Sequence, residues 1–137
     1  MAATHVTIRV AWYDADPAGI VWLGNFLRYV EQAEEELLRA AGVTKQYLRT
    51  ELQTDLPRAQ IQCAFRSPAR YGEELDVAVE VADLTERRIR FTFEIRHLDG
   101  GGLVVEGSYD VACVDSRTFT CGPVPEALRA ALQPIAR

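Results

Sequence analysis

Two carboxylates stand two residues apart in the segment Asp14-Ala15-Asp16-Pro17-Ala18-Gly19. Pro17 fixes φ and Gly19 permits positive φ, so the backbone of this turn is tightly specified. A helix-type pattern begins within a few residues, and the first N–H groups of a helix have no intrahelical partner. Such a helix start can hold a developing oxyanion. A carboxylate beside it is the minimum apparatus for acyl hydrolysis, since it can attack a carbonyl or take a proton from water. The same residue types also suit a turn former or a helix cap. With two of them available, one can support the loop while the other points elsewhere.

A second group is basic. Arg87, Arg88 and Arg90 lie in residues 86–96, where four Arg stand against two Glu. The planar guanidinium donates two hydrogen bonds at once and suits phosphate, although a solvated strand face uses the same residues. Arg66, Ser67 and Arg70 form a smaller group of the same kind. His5 and His97 are isolated, one near the chain start and one beside a glycine turn. Cys63, Cys113 and Cys121 are too few and too scattered for a disulfide framework or a zinc site. No metal-ligand spacing, phosphate-cradling glycine loop or G-x-S-x-G nucleophile elbow is present, so no metal is expected and a serine hydrolase is disfavoured.

The elements that must position these groups are legible from periodicity. Residues 5–13 alternate, with Val6, Ile8, Val10 and Trp12 on one side, as a half-buried strand does. A helix runs from about residue 23 or 25 to 41, with Phe26, Val30, Ala33, Leu37 and Ala41 as its apolar stripe. Arg28, Glu31, Glu34, Glu35 and Arg39 take its other faces, and Gly42 supplies the stop. A helical turn over 44–53 precedes strands at 60–66, 73–83, 87–97 and 103–114. The third and fourth of these join through the Asp99-Gly100-Gly101-Gly102 hairpin. A short helix over 125–133 closes the chain. The order implies an α+β architecture, one long helix on a mainly antiparallel sheet of five strands. Trp12, Phe65, Phe91, Phe93 and Tyr109 offer apolar area on the other sheet face, so at least a dimer is expected.

The sequence has 137 residues, which suits one domain over 1–137 with no separate cofactor domain. Hydrophobic residues are 48% and charged residues 26%, as in ordinary globular proteins. The net charge of -5 disfavours nucleic-acid binding, and no apolar run is long enough to span a membrane. Nothing marks a signal peptide, and with scattered cysteines a cytoplasmic location is the simplest expectation.

The run Asp14-Ala15-Asp16-Pro17-Ala18-Gly19-Ile20-Val21-Trp22-Leu23-Gly24-Asn25-Phe26 resembles the active-site signature of small hotdog-fold thioesterases. It is most similar to that of the 4-hydroxybenzoyl-CoA thioesterases and the Tol-Pal-associated acyl-CoA thioesterases. The resemblance continues through Ser67-Pro68-Ala69-Arg70-Tyr71-Gly72-Glu73-Glu74-Leu75 and Glu86-Arg87-Arg88-Ile89-Arg90-Phe91, covering nearly the whole chain. It implies a hotdog fold, with a long central helix wrapped by the sheet, and hydrolysis of an acyl-CoA. It also implies Asp16 as the catalytic carboxylate, nucleophile or base, and the Leu23 backbone amide as the oxyanion donor.

The resemblance further implies a homodimer or homotetramer with active sites between subunits, and coenzyme A entering only as part of the substrate. Gly19, Trp22, Phe26, Glu31 and Leu56 become candidates for the acyl side. Arg87, Arg88, Arg90, Arg66, Ser67 and Arg70 become candidates for the coenzyme. Leu23 stands where the family commonly carries a polar ring, so Asp16 is the only evident catalytic side chain. A carrier-protein thioesterase and a non-catalytic acyl-CoA-binding subunit are the alternative readings.

Overall fold

A computed structural model describes residues 3–137. The alternating apolar residues of the second half fold as read. Strand β4 (Glu74–Leu84) buries Leu75, Val77, Val79 and Val81, and β5 (Arg88–His97) buries Ile89, Phe91, Phe93 and Ile95. Each such side chain, taken fully out of water, contributes roughly 1.5–3 kcal/mol. The hairpin turn places Gly100 and Gly101 at positive φ and leads into β6 (Leu103–Asp115). Strand β1 (Thr4–Arg9) pairs with β4, and β3 (Arg58–Phe65) pairs with β6. Two short strands, β2 (Thr54–Asp55) and β7 (Cys121–Gly122), extend the pairing of β6. Every ladder is antiparallel, in the order β1-β4-β5-β6-β3. The five long strands are those the sequence implies.

Helix α1 (Leu23–Ala40) lies on one face of this sheet, over β1 and β4. It buries Phe26, Tyr29, Val30, Ala33, Leu37 and Leu38, a wider stripe than the spacing alone suggests. Its end is a Schellman motif, with the Val43 N–H on the Leu38 carbonyl and the Gly42 N–H on the Arg39 carbonyl, and Gly42 at φ +82°. Helix α2 (Lys45–Glu51) then starts on a Thr44 side-chain cap, and α3 (Glu126–Leu132) closes the fold. A long helix cradled by an antiparallel sheet is the hotdog arrangement.

Three expectations are corrected. The first strand ends at Arg9, and Trp12 sits in a 3-10 turn (Trp12–Asp14) with 75% of its surface exposed. Phe91, Phe93 and Tyr109 face α1 and are buried within the protomer, so they offer nothing to assembly. The outer sheet face instead carries ion pairs, among them Arg90–Asp110, Arg66–Glu106 and Arg137–Glu80.

Glu34 is the third correction, since it is fully buried rather than on the polar face. The Tyr109 hydroxyl donates to its Oε1 at 2.5 Å and Arg58 donates to the same oxygen at 2.6 Å. Lys45 stands 3.4 Å from Oε2, and the Arg58 guanidinium lies 4.9 Å from the Tyr109 ring centroid. Burial, and next the adjacent Glu34 charge, push the Tyr109 hydroxyl pKa upward.

The Arg90 fork donates to both oxygens of Asp110, at 2.7 and 3.1 Å, and holds that carboxyl below the usual range. Arg49 does the same for Asp55. A carboxylate whose folded pKa is depressed stabilises the fold fully above its unfolded value, about 3.9, and loses that contribution as pH falls through the folded value. The urea midpoint is therefore expected to drop as pH is lowered below about 4. Asp110→Asn should make that drop shallower; an unchanged acid slope would remove this pair as a contributor.

Candidate active site

The turn after β1 is built by its own sequence. Gly19 takes φ +81°, the Gly19 N–H donates to the Asp16 carbonyl at 2.9 Å, and the Asp16 N–H donates to the Ile20 carbonyl at 2.8 Å. The returning arm is pinned to the segment before β4, with the Val21 N–H on the Ala69 carbonyl and a bridge between Ile20 and Arg70. Leu23 then opens α1, and among the described residues no side chain caps this helix start. The Leu23 N–H is one of the unpartnered first-turn donors at the positive end of the helix.

The two carboxylates separate in role. Asp14 is 2% exposed and acts within the fold. Its Oδ2 accepts from Tyr29 Oη at 2.7 Å and from the Ala11 N–H at 3.0 Å, while Oδ1 is paired with Arg28. Burial, then the hydrogen bond to Asp14, raise the Tyr29 hydroxyl pKa. Asp16 is only partly buried. Its Oδ1 accepts the Ala18 N–H at 2.8 Å, and among the described residues Oδ2 accepts no hydrogen bond.

Asp16 borders a cavity of about 560 Å³, whose other walls are Ile20, Val21, Trp22, Leu23, Phe26, Phe65, Arg66, Ser67 and Pro68. The lining is apolar apart from Asp16, Arg66 and Ser67. Phe26 and Phe65 meet with ring centroids 6.1 Å apart, closing the gap between α1 and β3. Trp22, Leu23 and Phe65 stay about half exposed, so the cavity has an apolar mouth. The Trp22 ring lies over Gly24, where a Cβ would collide with it.

Of the residues singled out in the sequence, Asp16, Trp22, Leu23, Phe26, Arg66 and Ser67 meet at this cavity. Gly19 shapes the turn without lining it, and Arg70 bridges to Ile20 on its wall. Arg66 is paired with Glu106 at 3.0 Å, and the Ser67 hydroxyl donates to the Leu103 carbonyl. Glu31, eight residues along α1 from Leu23, lies about 12 Å further down the helix, facing Lys45 at 3.4 Å. Leu56 borders a separate small hollow with Lys45, Leu48 and Asp55.

Arg87, Arg88 and Arg90 lie at the far end of the sheet. Arg88 is level with Ala112 of β6 and Phe65 with Val105, seven residues or roughly 23 Å apart. Arg90 is held by Asp110, while Arg87 and Arg88 have no ion pair among the described residues. His5 and His97 pair with Asp76 and Glu73 and do not reach the cavity. Sequence reasoning missed Asn25, Arg28 and Tyr29, which hold Asp14, and Phe65 as a cavity wall. Asn25 and Tyr29 are one helical turn apart on the side of α1 that meets the loop, and that spacing is the signal available beforehand.

The family model of the thioesterase-like superfamily matches residues 10–132, from the end of β1 to the end of α3. The chain belongs to the thioesterase-like superfamily. A curated relative from Synechocystis sp. is 27% identical over 111 residues, 81% of this chain, and the chain spans 66% of that relative's length. A 1,4-dihydroxy-2-naphthoyl-CoA hydrolase of Thermosynechococcus vestitus is 27% identical over 124 residues, covering 90% of this chain and 84% of that protein. The crystal structure of a 1,4-dihydroxy-2-naphthoyl-CoA thioesterase from Synechocystis superposes with a TM-score of 0.86 at 21% identity, over 96% of each chain. This thioesterase-like protein is therefore placed among the thioester hydrolases, and its Asp16 cavity is the candidate site. No helix of its described residues is long and apolar enough to cross a membrane.

Proposed function

We propose that this chain hydrolyses aromatic or short-chain acyl-CoA to the free acid and coenzyme A at the Asp16 cavity. The observation that carries the reading is Asp16 itself, a carboxylate with one uncommitted oxygen between an apolar cavity and the start of α1. The acyl group fills the apolar walls. The thioester carbonyl oxygen lies toward the Leu23 N–H, where the charge that develops during attack is stabilised. Asp16 then either attacks the carbonyl carbon, giving a mixed anhydride that water cleaves, or takes a proton from the water that attacks. In both routes the C–S bond breaks and coenzyme A leaves as the thiol. Two of the similar proteins are named for 1,4-dihydroxy-2-naphthoyl-CoA, an aromatic acyl-CoA, which favours an aryl group.

A second copy completes this reading. Among the described residues strand β3 pairs only with β6, and most of its residues are exposed, as suits an edge that takes another strand. Ile61 and Phe65, level with Tyr109 and Val105 on the face that α1 lies against, stay exposed at this edge. A partner there closes the cavity mouth and supplies Arg87 and Arg88 to a site they cannot reach within their own protomer. The protein is expected to release thiol from benzoyl-CoA and to elute as a dimer or tetramer by light scattering. Hydrolysis of acyl carrier-protein thioesters with none of acyl-CoA would move the activity to the carrier class. A stable, active monomer would overturn the shared site.

A further inference from the structure

The Asp14 carbonyl is the junction between the two parts of the site. It accepts the Trp22 N–H at 3.0 Å and Asn25 Nδ2 at 2.9 Å. Trp22 is the residue immediately before the Leu23 amide, and Asp14 is two residues before Asp16. One carbonyl thus ties the loop carrying the carboxylate to the helix start that holds the oxyanion donor. Asp14 is itself fixed from below by Tyr29, Arg28 and the Ala11 N–H, so it cannot yield to either side. Asn25 is absent from the cavity walls, and its amide is spent on this one contact.

We infer that Asn25 is a positioning residue for the hydrolysis, clamping the Asp14 carbonyl so that Asp16 and the Leu23 amide face the same carbonyl group. The inference rests on the proposed thioesterase reading for its kinetic consequence, though its structural consequence stands alone. Trp22 N–H and Asn25 Nδ2 share the carbonyl, one on each lone pair. Losing Nδ2 leaves the Asp14 carbonyl with the Trp22 N–H alone, while the Asp14 side chain keeps its own bonds to Tyr29 and Arg28. A displacement of about 1 Å between reacting groups costs on the order of 10²-fold in rate.

The test is Asn25→Leu, which keeps the volume and removes the donor. For benzoyl-CoA, kcat is expected to fall about 10–100-fold, with KM within about threefold. The thermal midpoint should stay within a few degrees, because the contact is one hydrogen bond at a partly exposed helix start. Asn25→Gln, which keeps an amide donor, should recover part of kcat. Amide exchange at Trp22 supplies a readout independent of turnover, with protection of that N–H falling about tenfold in Asn25→Leu. Wild-type kcat in Asn25→Leu, or a loss carried wholly by KM, overturns the positioning role. Unchanged Trp22 protection overturns the clamp even if the protein proves inactive on every acyl-CoA. Wild-type inactivity with loosened exchange instead overturns the thioesterase reading and leaves the clamp.

Discussion

Asp16→Asn is expected to lower kcat for benzoyl-CoA by about 10²–10⁴-fold, the range for removing a general base or nucleophile, with KM changed only a few-fold. The side chain sets no part of the fold that Asn cannot also set. Its Oδ1 accepts the Ala18 N–H, and the Asn amide oxygen can do the same. The loop keeps its Gly19 turn and its bond from Val21 to Ala69, so the cavity and the helix start survive. Uncharged amide oxygen is neither a useful nucleophile nor a base at neutral pH, so the loss falls on the chemical step. Asp14→Asn is a different experiment. It weakens the Arg28 pair and disturbs a buried hydrogen-bonded group, so it should lower stability together with activity.

Arg58→Met should destabilise the fold by about 3–5 kcal/mol, because it leaves a fully buried carboxylate with too few partners. Glu34 would keep the Tyr109 hydroxyl and Lys45 at 3.4 Å, neither of which replaces the guanidinium at 2.6 Å. The double substitution Glu34→Leu with Arg58→Met removes the stranded charge. It should recover part of the loss, since a buried ion pair is often replaceable by apolar residues of similar size. The Tyr109 hydroxyl would then lack its acceptor, at a cost of about 1–3 kcal/mol, so recovery should be incomplete. Urea denaturation of the two variants checks this. Equal stability of Arg58→Met and wild type would show that the buried pair contributes nothing. The pair also fastens the first residue of β3 to the middle of α1, so its loss should loosen the exposed edge offered to a second copy.

The sheet was legible because its apolar residues alternate with period two and its turns carry glycine. Leu75 to Val81 and Ile89 to Ile95 face the core as that period requires. The helix was legible through its stripe and its Gly42 stop. Glu34 was not, since a glutamate among helix glutamates reads as solvated. Its partners lie 24 and 75 positions away in sequence, so only the tertiary fold brings Arg58 and Tyr109 to it. Trp12 misled for a local reason. The ladder beyond β1 continues only through Val10, which bonds Glu73 and Gly72, before the 3-10 turn swings the indole outward. At the site, Asp16, Leu23, Trp22 and Phe26 were readable because they are close in the chain. Phe65 and the clamp of Asn25 on Asp14 were not, because one comes from a distant strand and the other joins a helix to a loop carbonyl. The resemblance, not the spacing, distinguished Asp16 from Asp14. The geometry then gave each a different set of contacts.

The most direct test is thiol release from benzoyl-CoA by wild type and Asp16→Asn, measured side by side at equal enzyme concentration. The account predicts enzyme-dependent hydrolysis by wild type and about 1% of that kcat or less in the variant. Equal rates in the two proteins would contradict the assignment of the chemistry to Asp16.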